Sequence, residues 1–180
     1  MKVIVCGPSN SGTTRIVRLL IHIAKMKNLK VNIIKSDVLS FSNDMDIYEC
    51  TNFWKVYPSI KDFDFVIMCV RDCRYICETI LEMADYVQYI QSWSLFSSLT
   101  VRYEMYGPEQ IMEISNLLQI PLTYNNVIEL LEKVRIVPIK SYYSDKTKEI
   151  HNHFVIYEYL LSYGYEQQPN TTKIPHSASF

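Results

Sequence analysis

Val3-Ile-Val-Cys-Gly-Pro-Ser-Asn-Ser-Gly-Thr-Thr14 decides how this chain is read. Three apolar residues (Val3, Ile4, Val5) lead into a loop bounded by Gly7 and Gly12. An amphipathic series (Ile16, Val17, Leu19, Leu20, Ile23) leads out of it. Strand, glycine-bounded loop and helix in that order make a phosphate-binding βα unit. Nucleoside triphosphatases built this way carry Gly, four residues, Gly, then Lys and Ser or Thr. Gly7 and Gly12 keep the spacing, but Thr13 stands in the lysine position. Without that cation the β- and γ-phosphates lose their main side-chain charge, which argues against ordinary ATP or GTP chemistry. The loop amides and the positive end of the helix still suit an anion. The expectation is a phosphate-containing ligand handled by unusual chemistry.

At 180 residues the chain is long enough for one domain with a real core. A net charge of −1 excludes a strong field toward nucleic acid or an anionic membrane. Bases crowd before residue 36 (Arg15, Arg18, Lys25, Lys27, Lys30, Lys35), and acids between Asp37 and Asp85. That asymmetry suits an anion site near the N-terminus. An ordinary solvated helix face, on which His22 would stand with Arg15 and Arg18, explains most of it. The first ten residues lack a signal-peptide pattern, and no apolar run approaches membrane-spanning length. Five cysteines without zinc-type spacing fit a reducing compartment, so a cytoplasmic protein is expected. Cys69, Cys73 and Cys77, spaced by four, read as core filling rather than a metal cluster.

Working outward from the loop, Met1–Cys6 reads as a buried strand, Thr13–Lys27 as a helix and Val31–Ile34 as a second strand. Residues 36–60 show no clear periodicity. Asp64–Val70 is a continuous apolar run of the kind found in central parallel strands. Helical pattern covers about Arg74–Met83 and Asp85–Phe96, and Leu99–Arg102 is a short strand. Pro108 opens a helix over about Glu109–Leu118. Asn126–Lys133 and Lys146–Ser162 are further helices, the last stopped by Gly164. Ile136–Ile139 is a strand or an extended segment. Strands alternating with helices give an α/β fold. Its expected form is three-layered, a parallel sheet with helices on both faces, over residues 1–166. Residues 167–180 form a loose tail.

Four ordered segments resemble one family. Pro8-Ser-Asn-Ser-Gly-Thr-Thr14 resembles the loop of sulfotransferases that use 3′-phosphoadenosine 5′-phosphosulfate (PAPS). Val66-Ile-Met-Cys-Val-Arg71, with Thr79 eight residues later, resembles that family's second signature. Val101-Arg-Tyr-Glu104 with Gly107-Pro-Glu resembles its Arg-Tyr-Glu-Asp strand end and following helix, and Tyr163-Gly-Tyr-Glu166 its terminal helix. The resemblance implies a P-loop type sheet of five parallel strands and sulfuryl transfer from PAPS to an acceptor hydroxyl or amine. It places Ser9, Asn10, Ser11, Gly12, Thr13 and Thr14 on the 5′-phosphosulfate, and Arg71 and Thr79 on the 3′-phosphate. No metal is implied. The partner is a small-molecule or glycan acceptor, with no nucleic acid and no membrane insertion.

The departures concern catalysis. Many members carry Lys or Arg where this chain has Ser9 or Asn10, a cation whose loss costs ~3 kcal/mol at the leaving oxygen. Where many have a general-base His, this chain has Lys55-Val-Tyr57-Pro. Tyr57 is a poor base near neutrality. A carboxylate is expected to substitute: Glu49 first, with Asp44 and Asp46 behind it and Asp37 also in range. Tyr48, Phe53 and Trp54 would give Glu49 an apolar wall that makes it a better base. Phe53, Trp54 and Tyr57 read equally as acceptor-pocket lining or as packing. The family's late basic contact has no match, and Lys140, Lys146 or Lys148 would have to stand in. Tyr103 and Glu104 read as structural, Tyr86, Tyr89 and Trp93 as core, and His151 and His153 as solvated. Three other readings compete with the enzyme: a non-catalytic relative that binds nucleotide or serves assembly, a nucleotide or nucleoside kinase, and a P-loop-like structural protein that binds no nucleotide.

Overall fold

The structure is a computed structural model that describes residues 1–34, 43–77, 79–134 and 153–165, leaving aside the side chains of Trp54 and Lys55. The segment 136–139, the start of the last expected helix and the tail fall outside those residues.

Among the described residues five strands form one all-parallel sheet: β1 (Lys2–Cys6), β2 (Val31–Ile34), β3 (Met45–Cys50), β4 (Phe65–Val70) and β5 (Leu99–Arg102). Their order is β2-β3-β1-β4-β5. The described helices are α1 (Thr13–Met26), α2 (Phe53–Val56), α3 (Ile80–Ser94), α4 (Pro108–Leu117), α5 (Tyr124–Lys133) and α6 (Phe154–Ser162). The fold is therefore α/β. Among the described residues no helix is long and apolar enough to cross a membrane.

The sequence explains why β1 is central. Val3, Ile4, Val5 and Cys6 are wholly buried, so apolar side chains alternate onto both faces of the sheet. Register places Val3 beside Ile47 and Phe65, and Val5 beside Glu49 and Ile67, on one face. Ile16, Leu19, Leu20 and Ile23 of α1 join the core on that face, with Ile111 and Ile114 of α4 and Val127 and Leu130 of α5. The opposite face carries Ile4, Cys6, Tyr48 and Met68, all buried. There Tyr89 donates its hydroxyl to the Cys50 carbonyl (3.1 Å), and Phe53 meets Trp93 edge to face.

Two expectations need correction. Residues 36–60 are not irregular throughout, because Met45–Cys50 forms β3. Asp46 and Glu49 break its apolar run, yet both are accommodated. Asp46 is 1% exposed and accepts from Asn32 Nδ2 (3.1 Å) and the Asn43 amide (3.5 Å). Likewise the helix pair expected over Arg74–Phe96 is a short 3-10 turn at Cys73–Tyr75 followed by the single helix α3. An Asp72 carboxylate caps that turn through the Arg74 amide and also pairs with the Arg74 guanidinium at 2.6 Å.

The chain divides into two compact units. One takes Met1–Arg71 and Gln88–Ser141, the other Asp72–Val87 and Tyr142–Phe180. The first holds the whole sheet. In the second, the Tyr159 ring packs between Tyr86 (5.8 Å) and Tyr165 (6.0 Å). Arg74 there donates to the Tyr165 carbonyl (2.7 Å). Gly164 takes the left-handed φ (65°) that ends α6.

All five cysteines are buried thiols outside any disulfide. Burial pushes the Cys69 and Cys77 thiols up to about 12, and those of Cys6 and Cys73 also upward. Thiolate, not thiol, is the reactive form. The native protein at pH 8 should therefore show no rapid reaction with Ellman's reagent, and the denatured protein should show all five thiols. A fast-reacting thiol in the native state would contradict this packing.

Candidate phosphate site

Parallel strands point their carboxyl ends to one edge of the sheet. β1 passes through α1 to the β2 side, whereas β4 passes through α3 to β5 on the other side. The chain's direction of travel thus reverses between the adjacent strands β1 and β4, and a crevice at such a point receives ligands in open α/β sheets. The Gly7–Gly12 loop follows β1 and Arg71 follows β4, so the two flank that crevice.

Two glycines shape the loop. A side chain at Gly7 would strike Ser11 Oγ and come within 2.7 Å of the Cys69 carbonyl. Gly12 has φ 103°, a left-handed value that disfavours any Cβ, and its Cβ position lies 2.9 Å from the Tyr103 ring. Asn10 also takes a left-handed φ (65°), which asparagine tolerates. Gly12 caps α1 without a side chain. The Thr13 and Thr14 amides therefore open the helix with no intrahelical acceptor and with the positive helix end behind them. Ser9 and Asn10 are exposed, while Ser11 and Thr13 are buried. Ser11 Oγ is buried without a hydrogen-bond partner. A buried orphan hydroxyl beside open amides fits a loop built to receive an anion.

Three elements bring side chains to this loop. Register aligns Glu49 with Val5, on the face that α1 covers, and Glu49 Oε1 accepts from Thr14 Oγ1 at 2.8 Å. Arg71 is buried and its Nη1 donates to the Asn10 carbonyl (3.3 Å). Because Val70 pairs with Arg102, Arg71 comes level with Tyr103, and its guanidinium carbon lies 4.2 Å from the Tyr103 ring centre. Arg15 approaches the same ring to 4.0 Å, and its Nη2 donates to the Tyr103 carbonyl (3.0 Å). Tyr103 is thus packed on Gly12 with two guanidinium groups against its ring, each contact attractive through the ring quadrupole.

The loop residues, Glu49 and Arg71 therefore converge. Tyr57 does not join them: it is 47% exposed and packs on Phe53 (5.2 Å) and Phe96 (5.7 Å). Phe53 is core packing, buried against Trp93. Thr79 belongs to the second unit, where it caps α3. Its Oγ1 accepts from the Glu82 amide (3.1 Å), and its own amide donates to Glu82 Oε2 (3.2 Å). Asp44 and Asp46 are held in place by backbone and by Asn32, away from solvent chemistry in the case of Asp46. Asp37, Lys140, Lys146, Lys148 and His151 lie outside the described residues.

Arg15 is the residue that the reading of the sequence misplaced. It is 9% exposed, not on a solvated face, while Arg18 is exposed and His22 half-buried. The signal was there: Arg15 stands one turn before Leu19 and two before Ile23, on the apolar stripe. No protein-family model matches the chain, and no curated protein matches it.

Replacing Gly12 by Val tests the loop directly. The branched side chain would meet Tyr103 at a left-handed φ. Stability should fall by at least about 1 kcal/mol in urea unfolding, and phosphate-ligand binding should disappear in calorimetry. Wild-type stability and binding in Gly12→Val would contradict the geometry described.

Proposed function

We propose that the chain is a sulfotransferase-like protein of three-layer P-loop type, which binds PAPS at the Gly7–Thr14 loop and transfers the sulfuryl group to an acceptor hydroxyl or amine. The observation that carries this reading is the convergence of a lysine-free phosphate loop with Arg71 and Glu49 at one sheet edge. The loop amides, that of Thr14 included, and the Ser11 and Thr13 hydroxyls serve the 5′-phosphosulfate. Arg71 serves the 3′-phosphate, for which a guanidinium's paired donors are suited.

Glu49 takes the acceptor proton. One of its oxygens is engaged by Thr14, which leaves the other for the acceptor. As the acceptor oxygen bonds to sulfur, the bond from sulfur to the bridging phosphate oxygen breaks and the bisphosphate leaves as an anion. Catalysis then rests on positioning and charge stabilisation, and no metal is needed. The exposed Tyr57 is the weaker candidate for that base. A small-molecule or glycan acceptor and a cytoplasmic setting belong to the same proposal.

A second reading, nucleotide phosphoryl transfer, is favoured by one contact. P-loop triphosphatases hold magnesium between the loop Ser or Thr and an acid on a neighbouring strand. Thr14 and Glu49 have that relation, at 2.8 Å. Ligand-induced thermal shifts separate the two: adenosine 3′,5′-bisphosphate stabilises a sulfotransferase, magnesium-ATP a kinase.

Arg71→Ala should weaken bisphosphate binding by at least about 1.5 kcal/mol. Glu49→Gln should lower the sulfuryl-transfer rate by ~100-fold or more while leaving bisphosphate affinity intact. Full activity in Glu49→Gln removes that residue as the base. Bisphosphate binding without turnover over a broad acceptor panel replaces the enzyme by the non-catalytic reading.

A further inference from the structure

Arg15 is a charge in an expensive place. Its guanidinium lies 4.0 Å from the Tyr103 ring centre and 4.2 Å from that of Tyr106. Nη2 has the Tyr103 carbonyl, but the buried Nε and Nη1 have no hydrogen-bond partner. Among the described residues no carboxylate forms an ion pair with Arg15. Burial lowers its pKa, opposed mainly by the flanking tyrosines and more weakly by Glu104. A buried charge with orphan donors destabilises a fold unless something else requires it. Functional sites are where such violations are kept.

The loop is what stands next to it. Nη2 lies 3.7 Å from the Cβ position of Gly12. The loop that it adjoins also holds the orphan Ser11 hydroxyl, 1% exposed. That loop lacks its own cation at each place a phosphate loop would carry one: Ser9, Asn10 and Thr13 are all neutral.

We infer that Arg15 is the displaced cation of the loop, a guanidinium held beside Gly12 whose field, acting through the backbone rather than by contact, draws a multiply charged phosphate or sulfate ester onto Gly7–Thr14. The two tyrosine rings keep water from the guanidinium, and a charge acts more strongly across such a medium than across solvent. Tyr103 fixes the distance, because it packs on Gly12 and stacks on Arg15 together. Arg15 is in this sense a positioning and electrostatic residue, not one that touches the ligand. The inference rests on Gly7–Thr14 being the anion site, but not on the anion being PAPS.

The test compares Arg15→Met, Arg15→Lys and, as a control on the exposed face of α1, Arg18→Met. Melting temperature is read without ligand, and affinity is read for inorganic pyrophosphate and for adenosine 3′,5′-bisphosphate. Arg15→Met removes the charge and keeps much of the volume. It should leave the free protein as stable as wild type or raise its melting temperature by about 2–4 °C. Its affinity for both anions should fall about tenfold or more. Arg15→Lys, which keeps the charge, should retain affinity within about threefold, and Arg18→Met should match wild type. A residue that merely packs would behave oppositely, with a lower melting temperature and unchanged affinity in Arg15→Met, and that result overturns the inference. If Arg15→Met does not fold, Arg15→Gln, which also removes the charge, decides: a tenfold loss of affinity supports the inference, and unchanged affinity overturns it. Should the bisphosphate bind no tighter than pyrophosphate, the PAPS reading fails while the role of Arg15 stands on the pyrophosphate data. A wild-type protein that binds neither anion overturns both.

Discussion

β1 pairs in parallel with β3 on one side and β4 on the other, and this double pairing sets where every chemical group stands. It requires β1 to be apolar on both faces, which Val3, Ile4, Val5 and Cys6 satisfy. It then delivers three strand ends to one edge of the sheet. The loop leaves β1 there, Glu49 sits on β3 level with Val5, and Arg71 follows β4. Nothing local to the loop could bring those three together. Their meeting is a property of register, and a slip of one residue in either pairing would turn Glu49 to the other face or carry Arg71 away from the Asn10 carbonyl.

The second constraint is Tyr103. The β4–β5 register carries it level with Arg71, and the absence of a Cβ at Gly12 lets its ring lie on the loop. Arg15 and Arg71 both stack on it. One ring therefore links the helix after β1, the loop itself and the end of β4. Positive charge is gathered around a loop that carries none of its own, at some cost to the free protein. That arrangement makes sense when an anion supplies the missing negative charge.

Much of this was legible in the sequence, for identifiable reasons. β1, β2, β4, β5 and α1 emerged within a residue of their observed bounds, since each is a run with one clear period and a glycine, proline or polar break beside it. β3 was not legible, because its two acids look like breakers until their partners are known. Asp46 depends on Asn32 of the next strand and Glu49 on Thr14 across the loop, and neither contact is local in sequence. Arg15 was hidden for a related reason: its charge points to solvent, whereas its spacing from Leu19 and Ile23 puts it on the buried stripe. Thr79 matched a motif by spacing, yet the same residue makes a complete capping box with Glu82, which only coordinates reveal.

The central claim is that a nucleotide's phosphates seat on the Gly7–Thr14 loop between β1 and β4. Backbone amide shifts followed by NMR during titration with adenosine 3′,5′-bisphosphate test it most directly. Saturable shifts are expected that are largest at Ser11, Gly12, Thr13 and Thr14 and extend to Arg71 and Tyr103. Shifts that leave the loop amides unmoved, or a protein that does not respond to the bisphosphate at all, would contradict it.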